Sequence, residues 1–284
     1  MILVTGATGS IGRPLVAELH RRGAAFRSLV RDPARAKLPG AVAAGDFDDP
    51  ASLDRALDGV TRVFLCSPGA VPAPGPQPMI AQQGAVIEAA VRAGVRRIVK
   101  VSVQGARAGG LLAEGAHAVL EERLRVAGPE WVLLRPSGFM QNFRTGTGAF
   151  SADGDLVGAY GDGRIAYIDA ADIAACAVPP LLESGYAGET FVLTGPEALS
   201  HTEIAAQLTA ATGRAVRYRD LPAAEFAETL VAQGLPAPFA ADVAALFAEV
   251  AKGGLATVTD TVERLTGRPA TTFRAFLARE RALG

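Results

Sequence analysis

The chain has 284 residues, of which 20% are charged, and its 28 Lys and Arg nearly balance its 29 Asp and Glu. The length allows one large α/β domain or one domain with a smaller appendage, so two or more independent domains are not expected. Because no basic block or acidic tail is present, we expect neither nucleic acid nor a membrane surface as a partner. The expected partner is a small molecule, and the sequence leaves open whether the protein is a monomer or a dimer.

The two cysteines, Cys66 and Cys176, have neither CxxC nor metal-ligand spacing. This favours reduced thiols and a cytoplasmic location, and no metal site is predicted. The chain begins without a basic targeting region, and no apolar stretch approaches the ~20 residues that span a bilayer. We therefore expect a soluble, unsecreted protein.

Short apolar runs alternate with stretches of helical period through the first half of the chain. Strands are predicted at 2–5, 26–30, 41–44, 62–66, 97–102 and 131–135, and helices at about 11–22, 50–58, 79–93 and around His117. Such alternation predicts a parallel sheet wound right-handedly, with helices on both faces. A proline-rich insertion at 68–78 can be neither helix nor strand, and it is either a rigid lip beside a binding crevice or a plain connector.

The pattern changes after about Phe143. Residues 144–166 are predicted to be loop, 167–182 a short strand and a helix that Pro179 ends, and 189–195 a further strand. The remainder reads as mainly helical.

A capping box, Ser200 with Glu203, starts a helix there, and Gly213 suits the position after its end. We predict a cofactor domain over 1–143, with later sheet additions from about 167–195, and a mostly helical substrate-binding cap over 144–284.

The strongest motif is TGATGSIG, residues 5–12, between the first strand and the first helix. Gly6 permits the tight turn, Gly9 lets the backbone approach a pyrophosphate, and Gly12 allows close packing of helix on strand. The motif predicts a dinucleotide site. The residues assigned to it are Gly6, Thr8, Gly9, Ser10, Ile11 and Gly12.

The end of the second strand favours NADPH over NADH. An NAD site usually has an acidic residue there, whereas this chain has Arg31. Arg13 could reach the same 2′-phosphate, and two guanidinium groups would make forked, charge-assisted contacts. Asp32, next to Pro33, is predicted to start the next helix, and use of NADH as well stays open.

Together, TGATGSIG, VRDPARA, GDFDDPASLDRAL, RVFLCSPG, VRRIVKVS and the C-terminal ETFVLTGPEALSHTEIA and VERLTGRPATTFRAFL resemble the atypical short-chain dehydrogenase/reductases of the NmrA-like group. The resemblance covers nearly the whole chain. It implies a Rossmann domain with a small C-terminal substrate domain, and NAD(P)H bound along the strand ends. By the same resemblance, Asp46 and Phe47 flank the adenine, Cys66 and Ser67 line the middle of the cofactor, and Val101 to Val103 pass the nicotinamide ribose. Asp46 could instead cap the next helix.

Most short-chain dehydrogenases use a tyrosine and a lysine four residues later to move the proton. The residues four places after Tyr160, Tyr167, Tyr186 and Tyr218 are Arg164, Ala171, Thr190 and Pro222, so this pair is absent. A positioned acid is worth ~10²- to 10⁴-fold in rate. Its loss leaves three chemistries: reduction of a quinone, reduction of a ketone on a polycyclic aromatic system, or redox sensing of NADP(H) without turnover.

His117 is the predicted substitute for the missing acid. It falls where members of the resembled family carry a lysine or histidine, and Glu121, one helical turn later, could orient its ring or raise its pKa. The alternative is ordinary exposed helix surface. Ser102 matches the serine that sits beside the reacting carbonyl in the family.

The resemblance also places segment 135–143 along the substrate pocket. Phe139, Met140 and Phe143 would then form an apolar wall for a flat aromatic substrate, unless they are core residues. The leading hypothesis is an NADPH-dependent ketoreductase for a bulky aromatic, angucyclinone-like polyketide. An NAD(P)H:quinone oxidoreductase and a non-catalytic NADP(H) sensor are the alternatives.

Overall fold

The computed structural model describes residues 1–145 and 150–283. Its strands are β1 Ile2–Val4, β2 Phe26–Val30, β3 Ala41–Ala44, β4 Arg62–Leu65, β5 Arg97–Val101, β6 Glu130–Pro136, β7 Leu156–Gly158, β8 Arg164–Ile165, β9 Glu189–Leu193, β10 Leu199–Ser200 and β11 Tyr218–Asp220. Its α-helices are α1 Gly12–Arg21, α2 Pro50–Leu57, α3 Met79–Arg92, α4 Leu112–Val126, α5 Asn142–Thr145, α6 Ala170–Leu182, α7 His201–Thr212, α8 Ala223–Ala232, α9 Ala237–Val250, α10 Thr261–Thr266 and α11 Phe273–Leu283.

Seven strands form one sheet in the order β3-β2-β1-β4-β5-β6-β9. Neighbouring strands from β3 through to β6 pair in parallel. The chain order reverses between β1 and β4, which is where α/β sheets of this kind open a ligand crevice at their carboxyl ends. The predicted doubly wound Rossmann fold is confirmed.

The chain divides into two compact units. Unit 1 contains Met1–Pro136, Ala170–Val192 and Arg264–Gly267, and unit 2 contains the described residues of Ser137–Asp169, Leu193–Glu263 and those from Arg268 onward. The core of unit 1 is aliphatic and joins α2, α3 and α4 to one face of the sheet, with Leu53, Ile87, Ile98 and Leu120 among its members. None of the described helices has the length and apolarity that a membrane crossing requires.

Unit 2 is mainly helical, but it also contains two small sheets, β10 with β8 and β11 with β7. The prediction that 144–166 is loop is therefore wrong in part, because β7 and β8 fall within it; residues 146–149 lie outside the described residues. The capping box of Ser200 and Glu203 is confirmed, and Gly213 has the left-handed φ of 72° expected at a helix end.

Helix α6 differs from the prediction at its end. Pro179 does not stop the helix, which includes Pro180 and continues to Leu182. The prolines remove two backbone donors, but arginines from the sheet donate to the terminal carbonyls: Nη1 of Arg97 to Pro180 O over 2.8 Å, and Nη1 of Arg62 to Leu181 O over 2.7 Å. Side-chain donors and burial thus hold the last turn helical.

The core of unit 2 contains a histidine to which the sequence assigned no role. His201 stacks on Tyr160 with ring centroids 3.7 Å apart, and its Nε2 lies 3.1 Å from the Tyr167 hydroxyl. Burial lowers the pKa of His201 to about 4. His201 is therefore a neutral, buried core residue.

Candidate active site

The glycine loop follows β1 directly and touches the chain that follows β4. Gly6 has a φ of 61°, and a Cβ there would lie 2.9 Å from the carbonyl oxygen of Cys66. A Cβ at Gly12 would lie 2.1 Å from the carbonyl oxygen of Gly6. Both positions therefore require glycine, as predicted, and the loop sits where the strand order reverses.

Helix α1 begins without a side-chain cap. Ile11, at its N-cap position, makes no capping hydrogen bond. Thr8, Gly9 and Ser10, just before it, are exposed. Because the first N–H groups of a helix have no partners within the helix, this end is suited to a pyrophosphate. The exposed loop and the uncapped helix fit a dinucleotide.

Two arginines predicted to bind the cofactor follow neighbouring strands of unit 1, Arg13 in the first turn of α1 and Arg31 directly after β2. Arg13 is exposed, and its Nε donates to the carbonyl oxygen of Thr8 over 3.0 Å, which holds its guanidinium at the loop. Arg31 is exposed immediately after β2. Asp32 accepts from the Ala34 N–H over 3.0 Å and caps a 3₁₀ turn of three residues, where the sequence predicted the start of a helix. The Asp32 carboxylate thus serves this turn, and the assignment of Arg13 and Arg31 to a 2′-phosphate stays a prediction.

The half-buried Asp46 and Phe47 follow β3. The Asp46 carboxylate accepts from the Asp48 N–H over 3.0 Å, and its own N–H donates to Ser52 Oγ over 2.9 Å. The cap of α2 is Asp49, so the alternative reading of Asp46 as a helix cap is wrong. Its assignment to the adenine stays a prediction.

The residues after β4 and β5 lie at neighbouring carboxyl ends of the sheet. Burial raises the pKa of the Cys66 thiol to about 11, so this side chain stays protonated. The Ser67 hydroxyl accepts from Gln83 Nε2 over 2.7 Å. Val101 is buried and Val103 is half-buried. These positions agree with a cofactor lying along the strand ends, and the contacts themselves stay predictions.

The proline-rich insertion is neither helix nor strand, as predicted. Gln77 accepts from the Val71 N–H over 2.9 Å and donates to the Val71 carbonyl over 3.1 Å, which closes the segment into a loop. Whether it is a lip or a connector stays open.

His117 and Glu121 are both buried on α4, 6% and 0% exposed, so the alternative of plain helix surface is wrong. They do not act as the predicted pair either. The Glu121 carboxylate accepts from Ser102 Oγ over 2.6 Å, from Nε and Nη2 of Arg135 over 2.9 and 2.5 Å, and from Arg125 Nη2 over 3.0 Å. Its oxygens are occupied, so it is not available to orient His117.

The pKa of Glu121 also argues against a pair with His117. Burial alone would raise the pKa of Glu121, but the hydrogen bonds from Arg135 and Ser102 outweigh it and leave this pKa lowered. Glu121 is therefore an ionised anchor for α4. Ser102 is 1% exposed and donates its proton to Glu121, so it is not free to donate to a carbonyl as the resemblance implied.

The side chain that does contact His117 is Lys100, which the sequence analysis did not assign. Lys100 Nζ lies 2.7 Å from His117 Nδ1 and donates to the carbonyl oxygen of Val101 over 2.9 Å. Burial lowers the pKa of Lys100 to about 7. Burial, and then the charge of Lys100, lower the pKa of His117 to about 2, the reverse of the predicted rise. A lysine in the apolar strand RIVKVS was the available signal, since lysine is almost never fully buried without a reason.

Helix α4 is held against the preceding loop by two glycines. A Cβ at Gly115 would lie 2.2 Å from the carbonyl oxygen of Gly110. The loop after β5 therefore packs directly on the first turn of α4, where Gly115 lies two residues before His117.

Two of the three residues predicted to form a substrate wall are core residues instead. Met140 is 0% and Phe143 is 8% exposed, and both belong to the core of unit 2. The Phe143 ring packs edge-on against Tyr167 and Phe273, with centroids 4.9 and 5.2 Å apart. Phe139 is half-buried. Of the three predicted residues, only Phe139 has enough exposed surface for a substrate to contact.

The sheet order and the glycine loop define a Rossmann-fold protein of the dinucleotide-binding class. Residues 1–274 match the NmrA-like family. The chain belongs to this family, and the resemblance found in the sequence is confirmed.

Two curated relatives and one solved structure are similar over nearly the whole chain. An NAD(P)H azoreductase from Xenophilus azovorans is 37% identical over 97% of this chain and 96% of its own length. Quinone oxidoreductase 2 of Escherichia coli is 35% identical over 96% of each. The crystal structure of an NADPH-dependent quinone oxidoreductase from Escherichia coli, complexed with NADPH, has a TM-score of 0.86 and 32% identity, covering 99% of this chain and 100% of that one.

Proposed function

We propose that the protein is an NADPH-dependent oxidoreductase whose hydride acceptor is a quinone. The observation that carries the proposal is the cofactor cradle: a glycine loop at the point of strand reversal, an uncapped helix end, Arg13 held at the loop, and the exposed Arg31 after β2. The relatives bear out the broader prediction that the protein is an NAD(P)H-dependent oxidoreductase acting on a small molecule. When bound, the cofactor supplies the hydride.

A quinone is a suitable acceptor for a chain without the catalytic tyrosine and lysine. Quinones accept hydride readily and need less help from an acid than an isolated ketone does, and the Tyr-x-x-x-Lys pair is absent. The relatives named for quinone and azo substrates support a flat, conjugated acceptor. This support moves the quinone, the alternative in the sequence analysis, ahead of the angucyclinone-like ketone.

The aromatic ketone remains the second candidate because of one observation. A ketone becomes an alkoxide that needs a proton, and unit 1 contains a buried lysine in contact with a histidine that could deliver one. This acid would partly replace the missing tyrosine.

The test is a panel of acceptors with purified protein and NADPH, followed by the loss of nicotinamide absorbance. We expect simple quinones to be reduced fastest, an azo dye more slowly, and polycyclic hydroxy-ketones slowest. Faster turnover of the ketones would favour the second candidate. Tight NADPH binding with no oxidation by any acceptor would contradict both enzymatic proposals and favour the sensor.

A matched pair of glycine variants serves as the control. Gly9→Val puts a branched side chain into the exposed loop that should hold the pyrophosphate, so binding of NADPH should be lost. Gly254→Val is the comparison, because a Cβ at Gly254 meets nothing within 4 Å. It should keep the activity of the unaltered protein.

A further inference from the structure

Lys100 is fully buried, and its amine is turned toward α4. The contacts of Nζ are His117 Nδ1 at 2.7 Å and the Val101 carbonyl oxygen at 2.9 Å. Neither partner is an anion. Within the described residues, no carboxylate lies at ion-pair distance from Nζ, although a buried ammonium is usually paired with one.

The hydrogen bond between Lys100 and His117 can form in two protonation states, with the proton on either of the two nitrogens. An ammonium has only donors, so when Lys100 is charged His117 Nδ1 must accept, and the ring carries its proton on Nε2. When Lys100 is a neutral amine, it can accept from an Nδ1–H group. A proton that moves from Nζ to Nδ1 while the Nε2 proton leaves the ring therefore changes the tautomer of His117 without leaving the ring charged.

We infer that Lys100 and His117 form a proton relay, in which His117 Nε2–H donates to the oxygen of the reduced acceptor and Lys100 resupplies the ring through Nδ1. The inference rests on the proposed function, since the relay serves the acceptor. Lys100 is enclosed, at 0% exposure, whereas His117 keeps 6% of its surface. The histidine is thus the less buried member of the pair, and the relay assigns the contact with the acceptor to it.

The step balances in atoms and charge. The quinone gains a hydride, hence two electrons, and becomes a hydroquinone monoanion, while the nicotinamide is oxidised. The oxyanion takes the proton from Nε2, Nδ1 takes one from the Lys100 ammonium, and the hydroquinone leaves. Lys100 is left as a neutral amine, and a proton from water restores it before the next turnover.

The titratable groups around Lys100 favour a relay over a histidine that acts alone as the acid. Cys66 faces it from the end of β4, and His117 and Glu121 face it from α4; Arg135 on β6 is engaged by Glu121. Burial lowers the pKa of Lys100 to about 7, against the weaker attraction of the Glu121 carboxylate. Since the pKa of His117 is about 2, the ring is neutral near pH 7 and can pass a proton but cannot store one.

Nuclear magnetic resonance tests the relay without cofactor or substrate. The chain has only three histidines and three lysines, and Lys37 and Lys252 are exposed references. We expect Lys100 to titrate near pH 7, against about 10.4 for an exposed lysine. We also expect neutral His117 to carry its proton on Nε2 below that pH and on Nδ1 above it. A Lys100 that titrates near the ordinary value of about 10.4, or a His117 that keeps one tautomer, would overturn the relay.

Kinetics gives the second test. Asparagine at His117 can accept from Lys100 and donate onward but cannot relay a proton, so His117→Asn should lower kcat by ~10²-fold. KM for NADPH should not change. The control, His20→Asn, alters an exposed histidine at the end of α1 and should be silent.

The pH profile separates the relay from a structural role of His117. In the unaltered protein, kcat should fall as pH rises above about 7, where Lys100 loses its proton. In His117→Asn this limb should be lost, and an unchanged limb would contradict the relay. If no acceptor oxidises NADPH, the proposed function fails, while the magnetic resonance result still decides whether Lys100 and His117 share a proton.

Discussion

At the scale of single residues, burial decides what a titratable side chain can do. His117 and Glu121 are one helical turn apart and look like a pair, yet Glu121 binds Ser102, Arg135 and Arg125, and His117 meets Lys100. The pKa of Glu121 stays low because its hydrogen-bond donors outweigh the cost of burial. The pKa of Lys100 falls because burial disfavours its charged form and no ion pair in the described part of the chain offsets that cost. Spacing along a helix does not contain this information, since Lys100 lies on β5, Ser102 directly after it and Arg135 on β6.

The cofactor preference can be tested at Arg31. Arg31→Ala should weaken NADPH binding about tenfold and leave NADH binding nearly unchanged, because a charge-assisted contact to a phosphate is worth ~1.5 kcal/mol at an exposed site. Arg35→Ala is the matched control: Arg35 is 89% exposed and pairs with Asp32. Dissociation constants for both cofactors provide the measurement. An unaltered preference in Arg31→Ala would rule out the phosphate assignment.

At the scale of elements, α4 is the helix that brings the candidate site together. It carries His117 toward β5 and is attached to β5 and β6 through Glu121. A helix around His117 was predicted, because it continues the alternation of strands and helices in the sequence. The end of α6 was not, because the arginines that stabilise its last turn lie on strands far away in the sequence.

The role of Glu121 as an anchor predicts a loss of stability. Glu121→Gln removes a buried charge that holds two arginines, and breaking a buried pair costs ~3–5 kcal/mol. Since Arg135 and Arg125 are 25% and 35% exposed, water offsets part of this. We therefore expect the free energy of unfolding in urea to fall by ~1–3 kcal/mol. Glu122→Gln, at a side chain 73% exposed, should change it by less than ~0.5 kcal/mol.

The same variant has a predicted pH dependence. The pKa of Glu121 is lowered in the folded protein, so its stabilisation is present near neutral pH and is lost as pH falls through that pKa. The difference between the unaltered protein and Glu121→Gln should shrink in acid. A difference that stays constant down to low pH would show that Glu121 acts through packing.

At the scale of the whole molecule, the two units differ in how well the sequence predicted them. Unit 1 follows the alternation of strand and helix, and the predicted sheet strands match to within a residue or two. Unit 2 is built from three separate segments. Its short strands β7, β8 and β11 have two or three residues each, too few for a period to be read.

Cofactor binding should be visible as stability of the whole protein. At NADPH concentrations of about 100 Kd, binding to the folded state alone adds ~2.7 kcal/mol. For a chain of this size, this should raise Tm by ~5 °C in a thermal melt. NADH at the same concentration should raise Tm less, and Gly9→Val should show no shift. An equal shift with both cofactors would contradict the preference predicted from Arg13 and Arg31.

The sequence by itself determined the doubly wound sheet, the glycine loop and its cofactor class, and the family, because each depends on local period or on residues adjacent in the chain. The tertiary structure alone decided which side chains meet. It set Lys100 against His117, assigned Glu121 to arginines, and placed Met140 and Phe143 in the core. Those outcomes depend on desolvation and on partners distant in the sequence, which only the packing of strands against helices establishes.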